Sequence, residues 1–147
     1  MTDELKRILT RPRQISQRIQ RLKDSIEGAR DTAAISAVYY SGVRSSGPHT
    51  SRQERYIIKI EDIVNEIRRL QCEYLDALNR VDELLEQLPV EERCFIRSTY
   101  VKGEGARQVQ KALGLPPAMI GRVRKSGLEH LEAILEAEHH DTTDAAT

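Results

Sequence analysis

The chain has 147 residues, of which 31% are charged and 4% aromatic, a composition that suits surface-rich helices better than a large catalytic scaffold. Its formal net charge is zero, but residues 93–130 carry 8 Lys/Arg against 2 Asp/Glu, so the balance does not exclude a nucleic-acid partner. The two cysteines form no Cys/His array, and no segment has the roughly 20 apolar residues of a membrane span. We therefore expect no metal, no cofactor, no membrane contact and a cytoplasmic location.

A long helix is predicted from residue 12 onward. Its apolar residues are spaced four and three apart in alternation, which places one stripe along a helix. Pro12 suits the first turn, with Thr10 as the cap, and residues 2–9 are expected to form a separate short helix. The stripe consists of Ile15, Ile19, Leu22, Ile26, Ala29 and Ala33.

A second long helix follows the segment "SGVRSSGPHTS", residues 41–51, which has loop composition and no periodicity. Ser51 and Glu54 form a capping box that predicts the helix start, and the helix is expected to extend to residue 88, about 55 Å. A helix of this length cannot bury its apolar stripe alone, so the first helix is the expected antiparallel partner. Residues 1–88 are thus predicted to form a coiled-coil-like hairpin that dimerises. The second stripe consists of Ile60, Ile63, Ile67, Leu70, Tyr74, Ala77, Val81, Leu84 and Leu88.

Three shorter helices are predicted after Pro89, which cannot continue the preceding helix but suits the first turn of a new one. The first runs to about Val101 and is stopped by "KGEG". The next two span roughly 105–113 and 117–137. Residues 138–147 are polar and are expected to form a flexible tail. The fold class is therefore all-α, with a C-terminal domain over residues 89–137.

The last two of these helices have the pattern of a helix-turn-helix. Val109 and Leu113 lie one turn apart, Gly114 is a left-handed cap candidate, and Leu115 is the expected buried turn residue. The following helix repeats apolar or small residues along one side at Ile120, Val123, Gly127 and Leu131. This arrangement is typical of a DNA-reading motif, although any packed pair of short helices needs a similar pattern.

The opposite side of the last helix carries the candidate DNA contacts. At 100° per residue, Ala118, Arg122, Lys125 and Glu129 point away from Ile120. Arg122 is the base-edge candidate because a guanidinium can donate two hydrogen bonds to guanine. The candidates for backbone contact or close approach are Arg107, Lys111, Ala118, Gly121, Arg124 and Lys125, and Arg93 and Arg97 are further phosphate candidates.

Residues 87–135 resemble region 4 of sigma-70-type factors. The resemblance rests on "LP..ER", on "Y-x-x-G" at residues 100–103, on "V...LGL" and on "I..V...GL..L". With the long helices ahead of it, the whole chain is similar to the phage late-gene regulators of the RinA/ArpU type. The resemblance implies a phage or prophage protein that binds double-stranded DNA, activates packaging and structural genes, and contacts the host RNA polymerase.

Several positions depart from that family pattern. Pro116 replaces the usual Ser or Thr cap, which removes an acceptor worth roughly 1 kcal/mol. Gly121 and Gly127 each cost about 1 kcal/mol within a helix relative to Ala. Two other readings therefore stay open: a small-terminase-like packaging component, and a protein-binding helical module whose helix-turn-helix no longer binds DNA. No nucleophile, phosphate loop or ligand spacing indicates an enzyme.

Overall fold

The computed structural model describes residues 1–40 and 50–146, with the side chains of 1–31 and 54–146. These residues form helices and no strand among them, so the all-α prediction is confirmed. The predicted loop lies outside the described residues except for Thr50 and Ser51, which belong to the second helix, and the hairpin stays a prediction. The helices are α1 (Asp3–Tyr40), α2 (Thr50–Leu85), α3 (Val90–Ile96), α4 (Ala106–Leu113) and α5 (Pro117–Ala145).

The chain divides into two compact units, which do not follow the expected boundary at residue 88. The first unit combines Met1–Gln14 with Tyr74–Thr147, and the second consists of Ile15–Glu73. The first unit extends beyond the C-terminal helices because its core also takes Leu5 from α1 and Val81 from α2. The start of α1 and the end of α2 thus belong to the same packed unit as α3, α4 and α5.

The expected break before Pro12 is wrong, because α1 continues through this residue. Thr10 does not cap a helix there; its hydroxyl donates to the carbonyl of Lys6 within α1, at 2.7 Å. Proline inside a helix removes one hydrogen bond and costs about 3 kcal/mol. That cost is offset because Leu5, Leu9 and Pro12 lie on one side of α1 and are all fully buried. Periodicity starting at Ile15 did not include this earlier part of the stripe.

The first unit contains the well-packed core. Its fully buried side chains come from all five helices or their ends, so each element contributes apolar surface to one cluster. Burying a side chain of this size stabilises a fold by about 1.5–3 kcal/mol. The largest fully buried residues are Phe95, Leu5, Leu9, Leu84, Leu85, Ile96, Leu131, Val81, Val109 and Pro12.

The second unit is packed less completely. Ile15, Ile67 and Leu70 are its buried apolar side chains within the described residues. The other described stripe residues of this unit are half-buried: Ile19, Leu22, Ile26 and Ala29 on α1, with Ile60 and Ile63 on α2. The side chain of Ala33 lies outside the described residues. Arg18 of α1 lies 3.5 Å from the Glu66 carboxylate of α2, an exposed ion pair that contributes little stability.

The C-terminal end of the chain is helical, so the prediction that the last helix ends near residue 137 is wrong. α5 continues to Ala145. Glu138 accepts a hydrogen bond from Arg80 of α2 at 2.6 Å, and His139 lies 3.0 Å from a carboxylate oxygen of Glu4. Thr142 also donates back to the carbonyl of Glu138 at 2.9 Å. These contacts lie beyond Leu135, the last buried residue of α5, and a polar composition alone does not indicate them.

Candidate nucleic-acid interface

The turn between α4 and α5 has the backbone conformation that its sequence requires. Gly114 ends α4 with φ at 65°, in the left-handed region, so the prediction of a glycine cap is confirmed. The N–H of Leu115 donates to the carbonyl of Gln110 at 3.3 Å, which satisfies an acceptor in the last turn of α4. A side chain at residue 114 would be strained by this φ value.

Proline residues begin α5 without a side-chain cap. Pro116 occupies the cap position with φ −63° and ψ 147°, and no side chain bonds to the first amide groups. Pro117 is the first helical residue, where its fixed φ suits the helix and its missing N–H removes no intrahelical bond. The sequence-based expectation that Pro116 occupies the cap position without a side-chain acceptor is therefore confirmed.

The inward side of this segment agrees with the predicted spacing. Val109 of α4 and Val123 and Leu131 of α5 are buried in the core of the first unit. Ile120 and Leu115 are half-buried and pack against the same core, so Leu115 is less enclosed than expected. The orientation of α5 about its axis is therefore fixed by apolar packing, and its other side faces solvent.

Gly127 has a packing role that the sequence does not reveal. A Cβ at this position would lie 2.5 Å from Cδ1 of Ile96, which is fully buried in α3. Glycine therefore allows α3 and α5 to approach closely. Gly121 differs, because a Cβ there would meet nothing within 4 Å.

A polar contact also joins α3 to α5. Glu92 is 8% exposed, and its carboxylate accepts a hydrogen bond from the Ser126 hydroxyl at 2.7 Å and lies 2.8 Å from Nδ1 of His130. Burial opposes ionisation of this carboxyl, but the two contacts together outweigh it and lower the pKa of Glu92. The carboxylate thus joins α3 to α5 through two side chains of α5.

All seven predicted contact residues are exposed on α4 and the first half of α5. Four of their cations form no ion pair or hydrogen bond with any described residue, and they are Arg107, Lys111, Arg122 and Lys125. Ala118 and Gly121 lie on the same exposed side of α5 and carry no polar side-chain group. The segment 102–125 has six Lys/Arg and one Glu, so this surface is positively charged.

Arg124 is held by a neighbouring aromatic residue. Its Nε donates to the hydroxyl of Tyr100 at 3.3 Å, and its guanidinium carbon lies 6.0 Å from the centre of the Tyr100 ring. Tyr100 belongs to a π-helical turn, Arg97–Val101, that continues α3. The contact leaves the terminal nitrogens of Arg124 able to donate elsewhere.

Arg93 and Arg97, the further phosphate candidates, both have partners within the first unit. The guanidinium of Arg93 donates to the carbonyls of Leu85, Glu86 and Leu88 at 3.1–3.4 Å, so it caps the end of α2. Arg97 lies 3.0 Å from the Asp82 carboxylate of α2. Both arginines therefore connect α3 and its π-helical continuation to the end of α2.

Two exposed residues of this surface were not predicted. Met119 is 39% exposed in the first turn of α5, three residues before Arg122. Lys102 is exposed immediately before α4. The only sequence signal for Met119 is its place on the helical side that carries Arg122, and an apolar side chain there can contact a thymine methyl group or a protein.

The chain matches no protein-family model, no curated protein and no solved structure. Within its described residues, no helix is long and apolar enough to cross a membrane. The described His, Cys, Asp and Glu residues form no group of three or more that could hold a metal ion. The geometry of α4 and α5 is therefore the basis for a functional proposal.

Proposed function

We propose that this chain is a DNA-binding transcriptional regulator of a bacteriophage or prophage, which activates late packaging and structural genes. It binds promoter DNA through α4, the turn 114–116 and α5. The observation that carries the proposal is the exposed positive surface between residues 102 and 125, where five cations, the four named above and Lys102, have no partner among the described residues. Such groups can neutralise phosphates without first breaking an internal ion pair.

The proposed mechanism assigns different tasks to these side chains. α5 enters the major groove, where Arg122 donates to a base edge. Arg107, Lys111 and Lys125 bind phosphates and fix the register of the protein on the duplex. Ala118 and Gly121 add no bulk and allow the helix backbone to approach the DNA.

A homodimer completes the proposal. The half-buried stripes of Ile15–Glu73 leave apolar surface that a second copy can cover, which supports dimerisation through this unit. Two helix-turn-helix segments then bind two half-sites, as is general for dimeric proteins of this class. Contact with host RNA polymerase rests on the family resemblance.

Salt-dependent binding to duplex DNA tests this function. Fluorescence anisotropy with fragments of the encoding genome is expected to show affinity that falls steeply with salt. Arg122→Ala should weaken binding to the preferred fragment by about tenfold and reduce sequence preference. Lys125→Ala should weaken binding to all fragments similarly. Arg68→Ala, which removes an exposed charge from the second unit, is the matched control and should change neither property.

A protein-binding module is the second candidate, and the exposed Met119 beside Ala118 and Gly121 favours it. These residues offer apolar surface and no hydrogen-bonding side chain. Negligible binding of the wild-type protein to every duplex would contradict the regulator and support this module. Ring-sized oligomers with binding confined to a packaging site would instead indicate the small-terminase-like component.

A further inference from the structure

Arg13 of α1 is placed against the turn that precedes α4. A Cβ at Gly103 would lie 2.7 Å from Cζ and 2.8 Å from Nε of Arg13, so the guanidinium lies directly on the glycine backbone. Gly103 has φ of 73°, in the left-handed region that favours glycine. Residue 103 thus lacks a side chain both because of its backbone conformation and because Arg13 occupies the space.

This contact adds to the positive surface a cation that is distant in the sequence. Gly103 follows Lys102 and precedes Arg107 by four residues, and both of these side chains are exposed and have no partner in the described part of the chain. Arg13 is itself exposed and makes no hydrogen bond or ion pair with any described residue. Arg13 thus lies at the turn that opens α4, and Lys102 and Arg107 lie within four residues of Gly103 along the chain. The one acidic residue between Lys102 and Arg107, Glu104, is half-buried.

We propose that Arg13 binds a backbone phosphate of duplex DNA and so extends the interface from α4 and α5 to α1. The inference rests on the proposed DNA-binding function. A guanidinium is planar, so stacking on the Gly103 backbone occupies one face and leaves its N–H edge available to two phosphate oxygens. The stacking also limits side-chain motion, which reduces the entropy lost when a phosphate is bound.

The test compares three variants of the full chain on a pool of random 40 base-pair duplexes. Arg13→Ala removes the proposed contact and Arg13→Lys keeps its charge. Arg11→Ala removes an equally exposed charge two residues earlier, about 200° around α1. The measured quantity is the slope of log affinity against log salt concentration. Thermal unfolding of each variant reports separately on stability.

We expect Arg13→Ala to reduce the slope by about 0.9, the value of one phosphate contact in duplex DNA. Arg13→Lys should keep the wild-type slope, and Arg11→Ala should change it by less than half as much. Equal slope changes in Arg13→Ala and Arg11→Ala would mean that the slope depends only on the net charge of the protein, and this result would overturn the proposal. A lower melting temperature with an unchanged slope would assign Arg13 to packing alone. Absence of wild-type binding would overturn the proposed function as well.

Discussion

The two compact units contain helices of the same kind but bury them to different extents. In the first unit, Leu5 of α1 and Val81 of α2 are fully enclosed, in a core that also contains residues of α3, α4 and α5. In the second unit, whose described residues belong to α1 and α2, only Leu70 of the described side chains approaches that burial. A heptad stripe indicates which side of a helix can be buried, and additional elements determine whether it is.

The largest expected difference between the units lies in their cores. Phe95→Ala in the first unit should lower the free energy of unfolding by about 3–5 kcal/mol, because the ring is fully buried and its removal leaves a cavity. Ile63→Ala in the second unit should cost clearly less, since Ile63 is already half exposed to solvent. Hydrogen exchange of backbone amides measures both changes unit by unit.

Leu75→Ala is the control for this pair, because Leu75 is more than half exposed in the first unit. It should change stability by no more than about 0.5 kcal/mol. If Ile63→Ala costs as much as Phe95→Ala, a partner buries the second unit in solution. That result would be direct support for the proposed dimer.

Local patterns predicted the parts of the fold that depend on local chemistry. Apolar spacing indicated helices throughout, and Gly114 predicted the turn between α4 and α5 because few other residues adopt positive φ. The exposed side of α5, including Arg122, followed from the 100° rotation between residues. In each case the determining interactions lie within a few residues of one another along the chain.

The remaining features depend on residues that are distant in sequence. Pro12 is accommodated because buried residues of α1 lie before and after it in the sequence. The guanidinium of Arg93 donates to carbonyl groups at the end of α2. From the sequence, Gly127 only lowers the helix propensity of α5. In the structure, glycine is needed there because Ile96 occupies the space that a side chain would take. The contact between Arg13 and Gly103 joins residues 90 positions apart in sequence. Periodicity gives the direction of a side chain but not the element that it meets.

The two glycines of α5 offer a second, smaller test within the first unit. Alanine is favoured over glycine by about 1 kcal/mol in a helix interior. Gly121→Ala should therefore raise the free energy of unfolding by up to about 1 kcal/mol, since its methyl group meets no atom. Gly127→Ala should lower it by about 1 kcal/mol, because the methyl group must displace buried Ile96.

Urea unfolding of the two glycine variants and of wild type measures whether the free energy of unfolding changes in these opposite directions. If both variants gain stability, Ile96 can change rotamer at little cost and α3 does not require a glycine opposite it. If Gly121→Ala also weakens duplex binding while stabilising the fold, close approach of the α5 backbone to DNA gains support.

The smallest expected effect concerns the pH dependence of the contact between α3 and α5. The pKa of Glu92 is lowered in the folded protein, so its carboxylate stabilises the fold above its unfolded value of about 4.5. This contribution is lost as the pH falls through the lower, folded pKa. Glu92→Gln should cost about 1 kcal/mol at pH 7, through the weaker hydrogen bonds with Ser126 and His130.

Glu61→Gln changes an exposed carboxyl of the second unit and is the control. In thermal unfolding between pH 7 and 3, the difference between wild type and Glu92→Gln should shrink below pH 4.5, whereas Glu61→Gln should follow wild type throughout. A difference that stays constant down to pH 3 would mean that the ionised carboxylate does not hold α5 against α3.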